Sequence, residues 1–301
     1  MSTSPSSSVR PARFLARLGP CSLAVGLLAA VTTVTGVAPS AEGQIFREEF
    51  NGPAGRSLAN NWTTETQFQG RGKFSSSGWV NGKGQGSISV STFNPQAPGS
   101  FNQALIKTKR TFIPRPGRVL DFEARVQVWG QNQRGIVFGF FLYNQFGSNP
   151  LRSDEADFEW LTNKTANRGS DNILVSTWSD WNRDNPQYGI NQSPTNGTQL
   201  SVEKGLGADV GGFRTYIMRW GFGKLEFFLV QPDGKWKYIH GFYGGQVPNG
   251  AQRLFFNAWV PDSSWTQAFD GRFNATRNRA QNKYYGMNVD YVRVFDRPNP
   301  R

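Results

Sequence analysis

The chain has 301 residues, a formal net charge of +12, one cysteine and one histidine. A lone Cys21 excludes a disulfide framework and a thiolate metal site, and a lone His240 argues against zinc and Ser-His-Asp chemistry. The positive charges stand singly, as at Arg110, Arg183, Arg219 and Arg277, without the Lys/Arg-rich run of a nucleic-acid binder, so nucleic acid is not an expected partner.

Residues 1–43 read as an export signal. Arg10, Arg13 and Arg17 precede an apolar stretch from Cys21 to Val37, and small residues at Ala38, Ser40, Ala41 and Gly43 close it. Thr32, Thr33, Thr35 and Gly36 interrupt the apolar run, which speaks against a permanent span. The expectation is a secreted or periplasmic protein that keeps no membrane contact after cleavage, with residues 44–301 as one domain.

That domain reads as strands. Runs rich in aromatic and β-branched residues are expected at 119–128, 136–143, 158–161, 173–178, 213–220, 224–230, 254–259 and 287–295. Asp121-Phe-Glu-Ala-Arg-Val-Gln-Val alternates charged and apolar positions at period two. Pro232-Asp-Gly234 is a turn between two aromatic runs. No segment carries sustained helical periodicity. Stretches 78–100 and 185–198, rich in Gly, Asn, Ser and Pro, read as surface loops. Eight or more strands in one domain predict an all-β sandwich or jelly roll.

The most informative segment is Ser153-Asp-Glu-Ala-Asp-Phe-Glu-Trp-Leu161. On a strand, Glu155, Asp157 and Glu159 share one face, while Ala156, Phe158 and Trp160 share the other. The second set suits a core. The first places three like charges in a row, which folding alone does not favour. Glycosidic cleavage has a use for them, since it needs one carboxyl protonated to assist the leaving oxygen and one ionised. A carboxylate wedged between two others raises its neighbours' proton affinity. Residues i and i+4 lie roughly 13 Å apart along a strand, so spacing does not decide between retention and inversion of the sugar.

The segment resembles the Glu-x-Asp-x-Glu signature strand of glycoside hydrolase family 16, the lichenase, laminarinase, agarase, carrageenase and xyloglucan-transglycosylase family. Phe46-Arg-Glu-Glu-Phe-Asn-Gly52, Gly139-Phe-Phe-Leu-Tyr143, Phe213–Trp220, Leu254-Phe-Phe-Asn-Ala-Trp259 and Met287–Phe295 resemble other family segments in order and distance. The resemblance implies a concanavalin-like β-jelly-roll sandwich of two antiparallel sheets with a cleft on the concave face. It implies retaining hydrolysis of a β-glycan, with Glu155 as nucleophile, Asp157 as assisting carboxylate and Glu159 as acid/base. Trp178, Asn257, Trp259 and Trp265 would line the cleft. Two positions depart from the pattern. Ser153 stands where lichenases place a tryptophan, and Arg214 where a histidine is common.

The resemblance requires no cofactor. It does imply a structural calcium, for which Glu49 and Asp290 are the matching donors. Trp160 and Trp220 are expected in the core. A monomer is expected, with a polysaccharide of the lichenan or laminarin class as partner. Three alternatives stay open: a hydrolase of agar- or carrageenan-type galactans, suggested by the basic charge; a transglycosylase; and a non-catalytic glycan-binding module.

Overall fold

A computed structural model describes residues 43–76, 78–146, 152–165, 171–182 and 198–299. The leader reading, apart from Gly43, and nearly all of the 185–198 reading lie outside them. The strands are β1 (Gln44–Glu48), β2 (Trp62–Thr64), β3 (Phe68–Gln69), β4 (Gly72–Ser76), β5 (Trp79–Val80), β6 (Gly86–Ser91), β7 (Phe101–Thr108), β8 (Arg118–Trp129) and β9 (Val137–Phe146). They continue with β10 (Arg152–Leu161), β11 (Asn172–Asn182), β12 (Thr198–Gly205), β13 (Arg214–Gly221), β14 (Lys224–Val230), β15 (Trp236–Tyr243), β16 (Arg253–Trp259) and β17 (Tyr284–Pro298). One α-helical turn, α1 (Thr162–Thr165), follows β10.

The pairings form a jelly-roll sandwich. The back sheet runs β15–β14–β13–β8–β17, and β6 and β1 pair successively along the far side of β17. The cleft sheet runs β12–β11–β10–β9–β16–β7, with β2 and β4 against β7. Nearly every pairing is antiparallel, as expected; β4 with β7 is parallel. A single Ser91–Asn102 pairing joins β6 to β7 and links the two sheets.

The core fills the space between the sheets with aromatic rings. Phe140 of β9 stacks on Phe158 of β10 and Phe256 of β16, with centroids 6.0 and 5.2 Å away. Phe158 meets Phe227 of the back sheet edge-on at 4.9 Å, and Trp160 meets Tyr216 at 4.9 Å. Trp160 and Trp220 are both fully buried, as expected. Truncating one of these rings would cost about 3–5 kcal/mol through lost burial and a residual cavity. This packing fixes the plane of β10 and therefore the direction of its other face.

Region 78–100 is not a loop throughout. Gly86-Ser-Ile-Ser-Val-Ser91 is a strand in which every residue is buried. Ile88 and Val90 enter the core, and Ser87, Ser89 and Ser91 occupy the opposite face. Serine hid the alternation, because a small polar residue looks like a turn former when its neighbours are glycine and asparagine. The turn at Pro232–Gly234 is present: Gly234 has φ +81°, and Gln231 N–H donates to the Lys235 carbonyl.

Candidate active site

β10 alternates faces along its length. Ala156, Phe158 and Trp160 are buried in the core, and Asp154 on the same side is fully buried. One oxygen of Asp154 accepts from the backbone N–H groups of Asn249 and Gly250 at 2.9 and 3.0 Å. That acid fastens the loop leading into β16. Glu155, Asp157 and Glu159 occupy the cleft face; Asp157 is 3% exposed and the two glutamates are half-buried.

Register across the sheet gives each acid its neighbours, because directly paired residues share a face. Glu155 stands between Trp178 of β11 and Tyr143 of β9, and Tyr143 is followed by Arg253 of β16. Asp157 stands between Ser176 and Phe141, followed by Phe255 and Lys107. Glu159 stands between Leu174 and Gly139, followed by Asn257 and Leu105. Gly139 is needed there. A Cβ at that position would lie 2.6 Å from the Asn257 amide oxygen. Without a side chain in the way, Asn257 reaches over β9 toward the Glu159 row. Its amide oxygen is buried and accepts no hydrogen bond among the described residues.

The cleft has a volume of about 560 Å³ and is lined by Glu155, Trp178, Tyr143, Arg253 and Asn257, among others. Trp259 and Trp265 stack at 5.7 Å and 28° one row beyond Glu159. They rest on a small apolar cluster of Val137, Leu161, Leu174 and Ala268. Of the residues expected in the cleft, Trp178 and Asn257 therefore line the cavity that holds Glu155, and the tryptophan pair forms a separate platform at the Glu159 end.

Burial dominates the proton affinities. It pushes the Glu155 carboxyl up to about 7, against the pull of a hydrogen bond from Asp157. It pushes Glu159 up to about 8, with the charge of Glu155 adding to the effect. Asp157 is raised well above the usual carboxylate range by burial, then by the charges of Glu155 and Glu159, and by the bond it donates to Glu155. The role expected for Asp157 thus shifts. Burial and Glu155, rather than Asp157, hold the proton on Glu159, while Asp157 keeps its own proton and offers it to Glu155.

Tyr143, Arg253, Lys107, Glu65 and Gln67 also line the cleft and were not among the expected site residues. Extending the period-two reading of β16 from Asn257 back to Arg253 would have found one of them. Glu65 and Gln67 lie between β2 and β3, with no sequence signal pointing at the cleft.

The expected calcium donors are otherwise engaged. Glu49 accepts from Arg47 at 2.8 Å and from Arg293 at 3.0 Å, and Asp290 accepts from Arg125 at 2.5 Å. Calcium takes six to eight oxygen ligands. Among the described residues no three acids, histidines or cysteines gather to hold a metal, and an ion at either carboxylate would have to displace a guanidinium. The donor set around these two residues does not fit calcium. His240 packs edge-on against Phe242 at 4.8 Å, and burial lowers its proton affinity.

No protein-family model and no curated protein matches the chain in sequence. Solved structures do match. An endo-1,3-β-glucanase from Streptomyces sioyaensis is 21% identical over 88% of this chain and 100% of its own, with a TM-score of 0.60. A β-1,3-1,4-glucanase (lichenase) from a mouse hindgut metagenome is 17% identical over 84% and 99%, with a TM-score of 0.57. Rv0315 of Mycobacterium tuberculosis, described as an immunostimulatory antigen and pseudo β-1,3-glucanase, is 20% identical over 84% and 98%, with a TM-score of 0.57. At such identities the likeness is one of fold: this chain is built on the jelly-roll sandwich that these glucanases use, with its acid row on the cleft sheet.

Proposed function

We propose that the chain is a glycoside hydrolase that cleaves a neutral β-glucan internally with retention, using Glu155 and Glu159. The observation that carries this reading is the acid row itself: three carboxyls on one face of the cleft sheet, Glu155 lining the cavity, with no cation paired to them among the described residues. Glu155 near 7 is partly ionised at neutral pH, and Glu159 near 8 is mostly protonated. That is the division of labour a double displacement needs. The Glu155 carboxylate attacks the anomeric carbon while Glu159 gives its proton to the departing glycosidic oxygen. Glu159 then takes a proton from water, whose oxygen attacks the same carbon and releases Glu155. Asp157, holding a proton toward Glu155, steadies the Glu155 carboxylate before it attacks and as it is released.

The charge in the cleft supports a neutral glycan over a sulfated one. Lys107 is paired with Glu65. Arg253 donates from one terminal nitrogen to the carbonyls of Thr108 and Lys109. Across the lining two cations, Lys107 and Arg253, stand against two acids, Glu65 and Glu155, so the cavity carries no marked positive excess for sulfate. Stacked Trp259 and Trp265 with half-buried Trp178 supply the flat faces that sugar rings pack against. The leader read in residues 1–43 would place this reaction outside the cytoplasm.

Fold alone does not carry activity, as the description of Rv0315 illustrates, so the test must read turnover. A panel of lichenan, laminarin, xyloglucan, agarose and carrageenan, followed by product analysis, is expected to show new reducing ends from lichenan or laminarin with the β-configuration kept. Binding without release of reducing ends would instead identify a glycan-binding module.

A further inference from the structure

A second cavity, of about 330 Å³, opens beside β6 and is lined by Trp79, Ser89, Ser91, Asn102 and Tyr284. Its volume is at the small end of ligand pockets, which run from roughly 300 to 1,000 Å³. Register explains how it forms. Trp79 pairs with Ser87 on one side of β6, and Tyr284 pairs with Ser91 on the other. Directly paired residues point the same way, so both rings flank the serine face, turned away from core residues Ile88 and Val90. Gly286 pairs with Ser89 in the middle of this floor. A Cβ there would lie 2.7 Å from Cζ2 of Trp129, so the glycine lets a third ring lie across the strand.

The polar groups of the cavity have hydrogen-bonding capacity left over. Ser89 is 3% exposed and its hydroxyl makes no hydrogen bond among the described residues. Ser91 donates to the Phe93 carbonyl at 2.8 Å, leaving its lone pairs to accept. The Asn102 amide oxygen accepts from Ser75, leaving its NH₂ to donate. Tyr284 is 57% exposed and presents its ring to solvent. No charged side chain lines the cavity, in a chain whose net charge is +12.

We propose that this cavity is a second carbohydrate-binding site, separate from the acid row, that takes a neutral pyranose unit of a β-glycan chain. The chemistry matches point for point. Trp79 and Tyr284 offer faces for the C–H side of a ring, and a donor, an acceptor and an unpartnered hydroxyl meet its hydroxyl groups. An anionic sugar would find no counter-charge. The site stands independently of turnover in the cleft, and its function would be to hold polymeric substrate on the protein.

Affinity electrophoresis of the full chain through gels holding laminarin or lichenan tests it. The wild type is expected to be retarded. Tyr284→Ala and Trp79→Ala should each weaken retardation about tenfold, on the scale of one lost aromatic contact. Ser89→Ala, which removes only the hydroxyl, should weaken it several-fold. Cleavage of a short soluble oligosaccharide should stay within about twofold in all three. Retardation unchanged in Tyr284→Ala and Trp79→Ala, or no retardation of the wild type by either glucan, would overturn the site while leaving the cleft reading in place. A chain without turnover whose retardation is still lost in these variants would remove the cleft reading and keep this site.

Discussion

Strands β8 and β10 both carry acids at alternate positions on a single face, and the protein treats them in opposite ways. On β8, Asp121 is 1% exposed and receives two bonds from Arg219, at 2.7 and 2.9 Å, and Arg297 stands 3.0 Å away. Glu123, two residues on, has its proton affinity raised by burial, and a hydrogen bond with Tyr291 and the charge of Arg293 oppose that rise. On β10, Glu155, Asp157 and Glu159 face Trp178, Tyr143, Ser176, Phe141, Leu174 and Gly139 across the sheet, with no arginine or lysine among them. A buried carboxylate must find a cation, find donors, or keep its proton. At Asp121 the back sheet supplies cations; along the acid row the cleft sheet leaves the proton. The same strand pattern therefore makes a structural brace in one sheet and a set of proton carriers in the other.

The sharpest break in the comparison comes from removing one charge of each kind. Glu155→Gln keeps the side-chain volume and removes an acid whose burial was unfavourable when ionised. Turnover of the glucan is expected to fall by at least about 10³-fold with the melting temperature held or raised; retained activity would sink the nucleophile assignment. Arg219→Ala does the reverse. It leaves Asp121 with Arg297 in place of its bidentate partner and should cost about 2–3 kcal/mol of stability, read by denaturant unfolding, while the pH dependence of any remaining turnover is unchanged.

The face of β10 was legible because strand periodicity is local: the acids fall at i, i+2 and i+4, and Ala156, Phe158 and Trp160 between them are plainly core residues. The rings of β9, β13, β14 and β16 were legible for the same reason. What lay hidden depends on register between distant strands. Tyr143 joins the Glu155 row because β9 pairs with β10, and Arg253 joins it only because β16 lies beside β9. Nothing in Gly139 announces that it clears the way for Asn257, 118 positions later in the chain. The pairing of Asp121 with Arg219, 98 positions apart, is equally invisible, so two acid-bearing strands looked more alike than they are. Strand β6 was missed for a local reason, since serines on its non-core face imitate a loop.

Importing a cation into the cleft sheet should make β10 behave like β8. Leu174 pairs with Glu159 on the cleft face. Leu174→Lys would place an ammonium beside that carboxyl and lower its proton affinity by about one unit or more. For the wild type, kcat/KM should follow a bell whose limbs lie near 7 and 8, the values to which burial pushes Glu155 and Glu159. In the variant the alkaline limb should move down and narrow the bell. An alkaline limb that stays near 8 would separate it from Glu159.

The smallest effect is on stability, and it has a definite sign. Glu159 binds its proton more tightly when folded, near 8, than an unfolded glutamate does, near the ordinary 4.5. Between those values the native state holds a proton that the unfolded chain has released, so stability must fall as pH rises across that window. The contribution is complete below about 4.5 and gone above about 8. Asp157 and Glu155 are shifted in the same direction and add to the slope. Glu159→Gln should therefore melt a few degrees above the wild type at pH 9 and converge with it at pH 5. A difference that is constant with pH would mean that Glu159 is ionised throughout, and the contrast between the two strands would lie in packing rather than in protons.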